Sequence, residues 1–121
     1  MYSFLMKIYD YKNSDVWQKS IGLAEEVYKI TIQFPKSEQY GLISQIQRSA
    51  VSIPSNIAEG SRRFSEKERK PFLRIAFGSA SELETQIILL KKLPFGKRIN
   101  CTKAEVLLED ILKMLNKMSQ K

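Results

Sequence analysis

The chain has 121 residues, a length that suits one domain, and its 20 Lys+Arg against 13 Asp+Glu leave a formal net charge of +7. It has no histidine and one cysteine, Cys101, which excludes an internal disulfide, a Glu-x-x-His metal motif and a histidine general base. The basic balance favours anionic partners, whether RNA, DNA or an acidic surface.

Residues 1–13 read as an N-terminal extension and residues 14–121 as the single domain. Lys7, Asp10 and Lys12 interrupt the apolar residues of the extension, so it does not read as a secretory signal. No stretch approaches the ~18 uncharged apolar residues of a membrane span. A cytoplasmic protein without membrane contact is expected.

Helical periods fill the segments between Pro35, Gly41, Gly60, Pro94 and Gly96, and no strand-like alternation of useful length occurs. The first helix is expected from about Asp15 to Phe34. Asp15 and Gln18 form its N-terminal cap, and Trp17, Ile21, Ala24, Tyr28, Thr31 and Phe34 its apolar stripe. Pro35 ends it. The second is expected from about Glu38 to Glu59, buried through Leu42, Ile46, Ala50, Ile53 and Ile57. Pro54 should kink it and Gly60 should supply a left-handed stop. The third spans about Glu66 to Lys92, on the order of 40 Å. Ser65 and Glu68 form its capping box, and Pro71 should bend it or fray its start. The fourth runs from about Lys103 to Met118 behind a Thr102/Glu105 capping box, with Leu107, Leu108, Ile111, Met114 and Leu115 as its stripe. Four helices with short connections predict an all-α, antiparallel up-down-up-down four-helix bundle.

Two surfaces exceed what one core needs. Ile87, Ile88, Leu89 and Leu90 surround the third helix with apolar side chains, and Ala76, Gly78, Ser79, Ala80 and Ser81 would let another backbone approach. These residues, chiefly Ala76, Ser79, Ala80, Ile87 and Ile88, read as an oligomer interface or as dense packing within one bundle covered by the N-terminal segment. The second helix carries a polar stripe of Gln45, Ser49, Ser52, Asn56 and Glu59 with Arg48 adjacent, which reads as a binding or inter-helix hydrogen-bonding surface or as a solvated face.

Arg62, Arg63, Lys67, Arg69, Lys70 and Arg74 crowd the connection between the second and third helices, with Phe64 among them as a stacking residue. Lys91, Lys92, Lys97, Arg98 and Lys103 crowd the next connection. Phosphate binding and solvated helix ends are the two readings, and Lys91 and Lys92 also complement a helix C-terminus. Catalysis has little to draw on. Glu59 and Glu82 would pair only if their helices face each other, and a structural bond to Arg48 or Asn56 is the simpler use. Ser49, Ser52, Ser55, Ser79 and Ser81 have no histidine base and no Ser-x-x-Lys partner. Cys101 could be activated by Lys103, but lone cysteines are usually inert. Neither a metal nor a cofactor is expected.

The run from Ser44 to Arg63, above all Ser52-Ile53-Pro54-Ser55-Asn56-Ile57-Ala58-Glu59-Gly60, resembles the 23S rRNA intervening-sequence protein family. Val16-Trp17-Gln18-Lys19, Phe34-Pro35, Tyr40-Gly41-Leu42 and the segment from Phe72 to Thr85 extend the resemblance across about two thirds of the chain. The resemblance implies an antiparallel bundle assembled as a ring, usually a homopentamer, with no established catalysis. A distantly related basic bundle serves a retroelement reverse transcriptase and binds nucleic acid. By that likeness the expected partners are further copies of the chain, RNA or DNA, and, as an alternative, a ribosomal or reverse-transcriptase-type protein contacted as a scaffold. Pro71 and Leu93-Pro94-Phe95-Gly96-Lys97 depart from the family pattern and put the start of the third helix and the last connection in question.

Overall fold

Ser14 opens the first helix of the computed structural model, which describes residues 10–120. Its hydroxyl accepts from the Trp17 amide at 3.3 Å, so the cap lies one residue before the expected Asp15. Gln18 reaches back to the Lys12 carbonyl instead of closing a box on Asp15. Most of the N-terminal extension, residues 1–9, lies outside the described residues. Tyr11–Asn13 form a 3-10 turn before α1, Asp15–Thr31.

The buried stripe of α1 is Val16, Ser20, Leu23, Val27, Ile30 and Thr31. Of the expected stripe, Thr31 and Phe34 are buried and Trp17 and Ala24 pack partly buried against the core, while the centre of the buried face lies one position earlier and Tyr28 is half exposed. Ser20 disguised the phase: its hydroxyl bonds its own helix at the Trp17 carbonyl, 2.7 Å away, so a polar residue sits in the core without penalty. α1 stops at Thr31. Phe34, beyond its end, is still buried, edge-on to Phe95 with ring centroids 5.1 Å apart.

A 3-10 turn, Lys36–Glu38, precedes α2, Leu42–Ser61, which therefore starts four residues later than expected. The helix continues through Pro54 without a break, and the proline ring is buried in the core. Gly60 is helical and does not adopt the left-handed conformation of a stop. α3, Glu66–Lys92, carries the Ser65 cap, whose hydroxyl accepts from the Glu68 amide at 3.2 Å. Pro71 neither breaks nor frays it. The lost hydrogen bond would have used the Lys67 carbonyl, at an exposed turn where water can serve. After a 3-10 segment, Pro94–Arg98, α4 spans Thr102–Ser119. Cys101 precedes it without a side-chain cap. Asn100 Oδ1 accepts from the Thr102 amide at 3.0 Å, and Glu105 pairs with Lys91 instead of completing a capping box.

The four helices form a bundle with no strand among the described residues. α2 packs most extensively on α3; α1 also meets α2 and α4, and α3 meets α4. Leu23, Ile46, Ile53, Leu83, Leu90, Ile111 and Leu115 are fully buried at the centre. Each contributes roughly 2 kcal/mol of burial free energy before chain entropy is opposed to it.

Candidate nucleic-acid interface

Close approach of two helices shapes the turn that carries the first basic cluster. A Cβ on Gly60 would lie 3.0 Å from the Phe72 Cβ and 3.5 Å from the Arg69 carbonyl. The missing side chain lets α2 end tightly against the start of α3. Arg62 lies over the Tyr11 ring, 5.5 Å from its centroid. Arg63 lies over Phe72 at 4.7 Å and stands 3.8 Å from the Glu59 carboxylate. Arg69 Nε donates to the Arg63 carbonyl at 3.1 Å. Three of the six expected phosphate ligands thus also hold the turn together.

Lys67, Lys70 and Arg74 have no ion pair or hydrogen bond among the described residues. Their spacing of three and four places them on one face of α3. Phe64 is 77% exposed at the tip. Of the acids nearby, Glu68 accepts from the Ser65 hydroxyl at 3.1 Å and Glu59 is drawn to Arg63. The structure therefore gathers all six predicted cations around one turn and splits them into two groups.

The second cluster is more neutralised. Lys91 pairs with Glu105 at 2.8 Å, and that hydrogen bond, with the carboxylate's charge, raises the Lys91 pKa. Lys103 pairs with Glu26 at 3.3 Å. Lys92, Lys97 and Arg98 stay exposed and without such partners among the described residues. Cys101 is buried. Burial first, and then the Glu105 charge, push its thiol pKa up against a small opposing effect of Lys91. With Lys103 committed to Glu26, the expected route to a reactive thiol is closed.

The polar stripe of α2 is an inter-helix seam. Ser49 donates to Glu82 Oε1 at 2.7 Å, and the Ser52 and Ser79 hydroxyls meet at 2.8 Å. Asn56 Nδ2 donates to the Ser52 carbonyl at 2.8 Å and to its hydroxyl at 3.0 Å. Glu59 and Glu82 have separate partners, so they form no carboxylate pair, and neither bonds Arg48 or Asn56. Gln45 and Arg48 are exposed beside the seam. Gln86 is buried on α3, and its Oε1 has no partner.

The expected oligomer residues divide. Ala76, Ala80 and Ile87 are buried in the chain's own core, and Ser79 is committed to Ser52, so the small-residue run serves the bundle itself. Ile88, at 52% exposed, remains on the surface. Sequence reasoning missed the exposure of Tyr28 and Tyr40, because both fit apolar helical spacing or a turn. Among the described residues no three His, Cys, Asp or Glu side chains gather as metal ligands would. No helix there is long and apolar enough to cross a membrane.

Residues 12–117 match the sequence pattern of the family described as 23S rRNA-intervening sequence protein. The chain belongs to that family. A similar solved structure is a protein of unknown function from the S23 ribosomal protein family of Bacteroides thetaiotaomicron VPI-5482. It is 26% identical with a TM-score of 0.72, and the match covers 88% of this chain and 99% of the other. No functionally curated protein matches the chain. Family membership and the four helices agree with the resemblance carried by the segment from Ser44 to Arg63.

Proposed function

We propose that this family member is a non-enzymatic, antiparallel up-down-up-down bundle that assembles as a ring and binds structured RNA by charge and shape. The observation that carries the RNA reading is the α2–α3 turn, where Lys67, Lys70 and Arg74 stand unpartnered beside three arginines that brace the turn. Unpaired cations on one helix face can neutralise successive phosphates, whereas paired ones first have to lose a carboxylate. The contact order supports the topology: Ser49 meets Glu82 and Ser52 meets Ser79, while Lys19 meets Asp110 and Glu26 meets Lys103. In both helix pairs, advancing along one strand of contacts retreats along the other. A ring, pentameric by the family resemblance, would repeat the basic turn around its rim and multiply weak phosphate contacts into avidity.

A second reading has its own support. Tyr40 is 92% exposed, and Val51, Ile75, Ile88 and Leu89 are also exposed, which leaves apolar side chains on more than one flank for protein contact. On this reading the bundle is a scaffold for a ribosomal or reverse-transcriptase-type partner.

The experiment is binding of nuclease-treated protein to structured bacterial RNA at low and physiological salt. A Lys67→Ala, Lys70→Ala, Arg74→Ala variant runs alongside, since those side chains brace nothing. Wild-type binding should fall steeply with salt. The variant should lose affinity and about two to three units of the log–log salt slope. Absence of binding at low salt would move the scaffold reading to first place.

A further inference from the structure

Two partly apolar grooves lie on different flanks of the bundle and carry opposite charges. The first follows the outer face of α2, with Tyr28 of α1 as a wall and Tyr40, Arg48 and Val51 along it, and has a volume of about 770 Å³. No carboxylate lines it, and Arg48 has no ion pair or hydrogen bond among the described residues. The second lies between α3 and α4, with a volume of about 400 Å³. Glu84, Ile88, Glu105 and Glu109 line it over Ile87 and Leu108, and no cation does. Lys91 holds Glu105 at 2.8 Å and Lys113 holds Glu109 at 3.2 Å, whereas Glu84 has no such partner among the described residues.

Each groove lacks what the other offers. One presents an unpaired guanidinium among half-exposed apolar side chains, and the other an unpaired carboxylate beside a half-exposed isoleucine. Arg48 and Glu84 form no ion pair within the chain, and the α1–α2 and α3–α4 flanks are opposite sides of the bundle, since α1 and α3 each pack on α2 and α4. The same separation rules out a two-fold contact in which both grooves are satisfied at once. A joint between them runs head to tail and repeats from protomer to protomer, which gives a ring where its rotation closes.

We infer that the α3–α4 flank of one protomer docks on the α2 groove of its neighbour. Ile88 enters the surface of Tyr28, Tyr40 and Val51, and Glu84 pairs with Arg48 across the joint. The inference rests on the ring reading and adds which two surfaces meet. The net charge of +7 opposes self-association at long range. An acidic groove turned toward an arginine is the local arrangement that reverses that repulsion where the protomers touch.

The test is native mass spectrometry and light scattering on the wild-type chain, Arg48→Glu, Glu84→Arg, the double variant, and an equal mixture of the two single variants. Circular dichroism checks that each remains helical; both positions are exposed, so each should. The wild type should be oligomeric, and each single variant should shift by at least tenfold in concentration toward monomer. The double variant should recover the wild-type mass. The mixed singles should associate into mixed oligomers that neither variant forms alone, because unlike neighbours match; a ring of five would keep one mismatched joint. A monomeric wild type would overturn both the ring reading and this joint. An oligomeric wild type with both single variants unchanged would leave the ring standing and overturn the joint. Dissociated singles that neither the double variant nor the mixture rescues would overturn the Arg48–Glu84 pairing.

Discussion

Three glycines that look alike in the sequence have unlike surroundings. A Cβ on Gly96 would lie 1.9 Å from the Leu90 carbonyl oxygen, which belongs to a rigid helix end. Gly96→Ala should therefore destabilise the bundle by about 3 kcal/mol, read as a lower urea midpoint. At Gly60 the nearest atom is the Phe72 Cβ at 3.0 Å, and alanine there should cost about 1 kcal/mol. Gly78 has nothing within 4 Å, so Gly78→Ala should gain about 0.5–1 kcal/mol through helix propensity. If Gly96→Ala proves as harmless as Gly78→Ala, the tight passage beneath α3 is wrong. Nothing local in the sequence separates these glycines, because the atoms that decide their cost come from the chain's return path. Ser20 teaches the same lesson from the polar side. It is buried at an apolar phase because its own helix satisfies its hydroxyl.

Element identity was readable from period, while element edges and contacts depended on tertiary partners. The buried residues Ile46, Ala50, Ile53 and Ile57 of α2 and Leu108, Ile111 and Leu115 of α4 follow their spacing. Pro54 and Pro71 were expected to disturb their helices and do not, because core burial in one case and solvent access in the other offset the missing hydrogen bond. The basic turn was legible as a cluster, but the division between bracing and unpartnered cations required Tyr11, Phe72 and the Arg63 carbonyl in place. Pairing between α1 and α4 was not legible at all. Glu26 there meets Lys103 at 3.3 Å and Lys29 at 3.5 Å. Burial alone would raise its pKa, but hydrogen bonds and charge from Lys103 and Lys29 outweigh that and hold it below 4.5. A carboxylate with a depressed folded pKa stabilises the fold above its unfolded pKa, and the gain is lost as pH falls through the folded value. Glu26→Gln should lower the melting temperature at neutral pH, with the deficit shrinking as pH falls below the ordinary carboxylate range and through the lowered folded value. A deficit that is constant with pH would assign Glu26 a packing role instead.

At the scale of the whole molecule, the decisive quantity is how much of the surplus apolar surface a single bundle accounts for. Ala76, Ala80, Ile87 and Leu90 are consumed internally, so the argument for self-association rests on fewer residues than the sequence suggests. Ile88 is the sharpest of them. An exposed isoleucine is by itself ordinary, and replacing one on a free surface changes stability by about 0.5 kcal/mol at most. A lysine placed inside a joint between protomers would instead bury an ammonium against apolar side chains, at a cost of several kcal/mol per contact. Ile88→Lys therefore separates assembly from folding. The helical signal and melting of the isolated bundle should stay near wild type while the native mass falls to that of one chain. The loss should also reach RNA affinity, since dissociated protomers would keep each basic turn but lose its repetition around the rim. An unchanged native mass, with RNA affinity likewise unchanged, would remove Ile88 from any joint between protomers and with it the apolar case for a second interface.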